Sequence, residues 1–97
     1  VHINPDKEFF QRADAVIDVA NNQLSEASRG KVSASSMFAS ARFNAWVTAT
    51  GHESAEAMTA AKQQAIDYFI GEYRDMLERN FDEYITNFDK YMQRYEA

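Results

Sequence analysis

Apolar residues recur at three- and four-residue steps along almost the whole chain. Phe9, Phe10, Ala13, Val16, Ile17, Ala20 and Leu24 form one series. Met58, Ala61, Ala65, Phe69, Tyr73, Met76 and Leu77 form a second, and Phe81, Tyr84, Ile85, Phe88, Met92 and Tyr95 a third. This spacing gathers side chains on one face of an α-helix and does not fit the alternation of a strand. The residues able to interrupt it, Pro5, Gly30 and Gly51, fall at its seams. The pattern predicts a single all-α domain, a small bundle of three or four helices with turns near Gly30, Gly51 and Asn80.

Local signals place the ends. Asn4 is a good N-cap, Pro5 suits the first helical position, and Asp6 and Glu8 suit the positive end of the helix dipole. Arg29-Gly30 reads as a last-turn cation followed by a terminating glycine. Helix 2 is expected from Ser33, with Val32 and Met37 spaced as a hydrophobic staple, and ends at Gly51. Projected at 100° per residue, its apolar positions span an arc of roughly 200°. An arc that wide predicts a central helix, covered on more than one side. Helix 3 is expected to start after Ser54. Near Asn80 the apolar phase moves by roughly 70°. Asn80 with Glu83 resembles a capping box, which predicts a turn there and a fourth helix to about Tyr95.

Composition narrows the function classes. Ninety-seven residues suffice for one hydrophobic core. The chain has no cysteine, which removes disulfides, thiolate metal sites and cysteine nucleophiles. No apolar run approaches the roughly 20 residues that span a bilayer. The first residues lack the apolar core of a signal peptide, so a cytoplasmic location and no membrane partner are expected. The net charge of −5 argues against a nucleic-acid partner bound by phosphate neutralisation. Charge is uneven: residues 27–52 hold no acid, only Arg29, Lys31 and Arg42, whereas acids outnumber bases from Ser54 onward.

Nothing in the chain reads as a catalytic constellation. His2 lies near an end and His52 in a turn, and neither has a carboxylate at the offset of a helical metal motif. Asp14 with Asp18, and Asp82 with Glu83, read as ordinary helix-surface acids. No zincin, nucleophile-elbow or phosphate-loop motif occurs. No enzyme activity, cofactor or metal is expected.

Three features invite a functional reading. Arg42 projects into the apolar arc of helix 2 and cannot shed its charge. It is expected to be buried and paired with Asp14 or Glu72, or else to hold an anionic ligand in a helical cleft. The helix start at Lys31, Ser33, Ser35 and Ser36 offers free N–H groups and a positive dipole end for an anion, although capping explains the same residues. The aromatic end, Tyr84, Phe88, Tyr91, Met92 and Tyr95, reads either as core or as an interface, where tyrosine and methionine are enriched.

Arg29-Gly30-Lys31-Val32-Ser33-Ala34-Ser35 followed by Ala41-Arg42-Phe43-Asn44-Ala45-Trp46 forms a specific central run. With Phe10-Gln11-Arg12-Ala13-Asp14 before it, and Glu53-Ser54-Ala55-Glu56 and Tyr84-Ile85-Thr86-Asn87-Phe88-Asp89 after it, the chain resembles a family of small proteobacterial proteins. That family is domain of unknown function 3144. The resemblance runs from about Phe9 to Met92. It implies a small bacterial, intracellular helical protein, and it carries no functional residues with it. The reading from the residues is a non-enzymatic module acting through a protein partner or as a homo-oligomer, such as a homodimer. The alternative is a small-molecule or anion binder using the Arg42 cleft or the Ser33 helix start.

Overall fold

Each long helix begins at a short polar side chain that accepts a hydrogen bond from the first turn. In the computed structural model, which describes residues 3–93, these helices are α1 (Lys7–Gln23), α2 (Arg29–Thr50) and α3 (Ala55–Thr86), followed by a short α4 (Phe88–Met92). No strand occurs among the described residues. The all-α class is as the spacing predicts.

Asp6 caps α1, its Oδ1 accepting from the Phe9 N–H at 2.8 Å. Asn4 was the expected cap. The carboxylate prevails because a charged acceptor at the positive helix end makes the stronger bond. Pro5 therefore precedes the cap instead of opening the helix. Ser28 caps α2 by accepting from the Lys31 N–H at 3.3 Å, and Ser54 caps α3 by accepting from Ala57 at 3.1 Å.

The cap at Ser28 corrects the expected start at Ser33. α1 stops at Gln23, residues 24–26 form a turn, and the Ala27 N–H bonds to the Gln23 carbonyl at 3.1 Å. Gly30 lies inside the first turn of α2, without the positive φ of a terminating glycine. At the other end Gly51 does close α2, its N–H reaching the Thr48 carbonyl at 3.0 Å.

Asn80 breaks nothing: α3 runs through it to Thr86. Its Nδ2 donates to the Met76 carbonyl at 2.8 Å, one turn back along the same helix. The interruption comes at Asn87, where Nδ2 donates to the Glu83 carbonyl at 3.2 Å and to Glu83 Oε1 at 3.0 Å. Glu83 thus holds Asn87 and is not part of a box with Asn80.

The chain divides into two units, Val1–Met58 and Thr59–Ala97. In the first, α1 lies against α2, and Val32, only 6% exposed, is the one buried apolar residue among those described. Phe9, Ala13 and Ala20 are half-buried, whereas Phe10, Val16 and Ile17 are exposed. The central position expected for helix 2 concerns more than this unit, in which α1 is the long helix packed against it. The second unit is the body of α3 with α4. Ala61, Ala65, Phe69, Glu72 and Met76 make a half-buried line along it.

Candidate interaction surfaces

Arg42 is exposed, contrary to the expectation of burial, and Asp14 is exposed too. No ion pair joins them among the described residues. Glu72, the other expected partner, is half-buried and belongs to the second unit. The buried point of α2 is Val32, ten residues or about 15 Å before Arg42 along the helix axis. The guanidinium therefore stays in water, where its desolvation cost never arises.

Arg42 does line a shallow, open groove of about 670 Å³ with Ala39, Phe43, Ala45, Trp46, Ala49 and Met58. Alanines along α2 leave the space, and the Phe43 and Trp46 rings, 5.7 Å apart and tilted by 33°, form an apolar wall. The indole is 61% exposed.

The expected anion site does not assemble at Ser33. Ser33 and Ser35 are exposed and Ser36 is half-buried, but all three lie beyond the first turn of α2. N–H groups at those positions bond to carbonyls four residues back. The true helix start has Ser28 on the Lys31 N–H, and Lys31 itself is exposed. His52 is half-buried, and its Nδ1 donates to the Thr48 carbonyl at 2.9 Å, which ties the imidazole to the end of α2. His2 lies outside the described residues. Among those described, no cluster of acids and histidines is arranged to hold a metal ion.

The aromatic end is partly open. Tyr84 and Phe88 are exposed, Tyr91 and Met92 are half-buried, and Tyr95 lies outside the described residues. The Tyr91 hydroxyl donates to Glu83 Oε1 at 2.9 Å, and its ring lies 4.6 Å from that of Tyr84. One carboxylate thereby braces the junction of α3 with α4.

Sequence reasoning missed how far this surface extends. Tyr73 and Leu77 read as part of one stripe with Ala61, Ala65, Phe69 and Met76. In the structure they belong, with Ile66, Ile70, Phe81 and Tyr84, to a second and exposed face of the same helix. The two faces are about 120° apart by helical projection. This explains the phase shift near Asn80 without a break: the half-buried line ends at Met76, and the exposed one continues. The signal was present in the spacing, but it takes exposure to separate two faces from one.

These features define a small all-α protein of helical units that carry exposed apolar faces. No helix among the described residues is long and apolar enough to cross a membrane. The chain belongs to the family described as "Protein of unknown function (DUF3144)", whose sequence profile matches residues 9–85. It is also similar to the protein NB7890A from Shewanella sp, known from an NMR structure. The two are 42% identical, with 95% of this chain and 98% of that one covered at a TM-score of 0.75. No curated protein matches the chain.

Proposed function

We propose that this protein is a non-enzymatic helical module that works by self-association. The carrying observation is the exposure of large apolar side chains on both units, from Phe38 at 66% on α2 to Ile85 at 68% on α3. Burial of such side chains is worth roughly 1.5–3 kcal/mol each and is the main favourable term in folding. Contiguous exposed patches of this kind mark interaction surfaces. A second copy of the chain is the simplest occupant, since two-fold homodimers are the commonest soluble oligomers. We place the module in the bacterial cytoplasm, without a nucleic-acid partner. Sedimentation equilibrium over a wide concentration range tests the reading. A mass of two chains or more is expected, and a monomer at the highest concentrations overturns it.

A second reading rests on the Arg42 groove. An apolar wall beside a free guanidinium suits a small aromatic anion, although ligand sites are usually more enclosed. Trp46 is the only tryptophan, so its emission reports occupancy directly. Titration with an aromatic carboxylate that leaves Trp46 emission unchanged removes this reading.

A further inference from the structure

We infer that the Arg42 groove seats an amphipathic helix of a partner protein, one that carries a carboxylate inside its apolar stripe. The inference rests on the reading of this groove as a binding site and names its occupant; it does not depend on self-association. The groove follows α2 from Ala39 to Ala49, ten residues or about 15 Å, close to three helical turns. Around the helix, Ala39, Trp46, Arg42 and Ala49 follow one another within about 80° by projection, with Phe43 and Ala45 at the two borders. Both rings therefore lie to one side of Arg42, and Ala45 and Ala49 lie to the other. Met58, in the first turn of α3 and part of the same unit, lines the groove too. Its unbranched thioether adapts readily to the shape of a bound helix.

Shape selects a helix. The groove is shallow and open, whereas small-molecule sites enclose most of their ligand. An extended peptide needs N–H and C=O groups to pair with its own backbone. The interior of α2 offers none, because its backbone groups are bonded to one another a turn apart. A helix arrives with its backbone already satisfied. Alanine at 39, 45 and 49 leaves room for it to approach to the roughly 8–10 Å between the axes of packed helices.

Charge selects the carboxylate. Among the described residues Arg42 has no hydrogen-bond or ion-pair partner. It is exposed, but whatever fills the groove removes it from water, and a guanidinium cannot shed its charge. A wholly apolar stripe strands that charge. A carboxylate set opposite it makes a charge-assisted pair instead. Residues 27–52 hold no acid, so α2 of a second copy brings base against base. The exposed face of α3 from Ile66 to Tyr84 also keeps its nearest acids, Asp67 and Glu78, outside its stripe by about 40° or more of projection. In this chain the rival occupant is α1 of a second copy, where exposed Asp14 lies between exposed Phe10 and Ile17.

Trp46 is the sole tryptophan, so its emission reads the groove directly. The probes are three synthetic amphipathic helices of about four turns, identical except for one residue in the middle of a leucine stripe: Glu, Gln or Lys. With the full-length protein, the Glu peptide is expected to shift Trp46 emission to the blue. It is expected to bind about tenfold more tightly than the Gln peptide, and the Lys peptide most weakly. Arg42→Glu is expected to invert that order in favour of Lys. Because Arg42 is exposed and unpaired, this variant keeps its helical circular dichroism. Equal affinities for the three peptides, or an order that Arg42→Glu leaves unchanged, overturn the inference. So does a Trp46 emission that responds to none of them. In that case a response to an aromatic carboxylate keeps the groove as a small-molecule site, and silence to both removes it as a site altogether. Emission that shifts with protein concentration alone, and no longer does so in Asp14→Ala, assigns the groove to a second copy's α1 and overturns the inference too.

Discussion

α2 and the body of α3 are both rich in apolar residues, yet they distribute them in opposite ways. On α2, Met37, Phe38, Phe43, Trp46 and Val47 are exposed around most of the circumference, with alanines and serines between them. On α3 most apolar residues fall into two lines, one half-buried and one exposed, with Asp67 and Asp75 on the remaining side of the helix. A helix whose apolar residues spread this widely gives little direction to its packing. A helix with a defined line specifies the face that a neighbour covers. On α3 the apolar lines thus set the face, whereas on α2 only Arg42 and its groove narrow what the neighbour must be.

The sharpest way to separate the two regions is to remove the one buried anchor of the first. Val32→Ala deletes two carbons from the contact of α1 with α2 and is expected to cost about 1.5–2 kcal/mol in urea unfolding. The same variant is expected to leave amide exchange along the body of α3 unchanged, because Val32 belongs to the first unit. A cost under about 0.5 kcal/mol, the range of ordinary surface changes, means that Val32 does not hold the first unit together.

The caps come next. Asp6→Ala and Ser28→Ala each remove the acceptor that satisfies a first-turn N–H. Each is expected to lower stability by about 1 kcal/mol. Asn4→Ala should be nearly silent, since Asn4 caps nothing. Amide exchange at Phe9 and Lys31 is the readout, and equal effects from Asn4→Ala and Asp6→Ala contradict the observed helix start.

The smallest effect is the most diagnostic for α3. If Asn80 sits in the interior of a continuous helix, Asn80→Ala exchanges a poor helix former for the best one. The expected gain is about 0.5 kcal/mol, reduced by whatever its bond to Met76 contributes. Were Asn80 a cap, the same change would lose about 1 kcal/mol. The sign of the change in thermal midpoint decides, because the two readings predict opposite directions.

Much of the local structure was legible beforehand because its causes are local. Helix spacing depends on residues three and four apart, and the closing role of Gly51 and the start after Ser54 depend on a single turn of chain. The errors at the helix ends came from rivals of nearly equal merit a few residues apart: Asp6 against Asn4, and Ser28 against Ser33. Choosing between them depends on which side-chain oxygen reaches an N–H, a matter of backbone angles that composition does not carry. Asn80 and Asn87 illustrate the same limit, since both donate to a carbonyl four residues back and only the second stands where the helix stops.

By itself, then, the sequence determined the helical class and the lack of thiol chemistry, because periodicity and composition act at short range. It also determined that apolar surface is abundant. Only the tertiary structure decided which of that surface stays open. Arg42 sits in the apolar arc of its own helix, yet it is solvated, because burial depends on what another element brings near. The two faces of α3 are one pattern in sequence and two in exposure, since spacing sets where apolar residues fall on the helix and not which of them are covered.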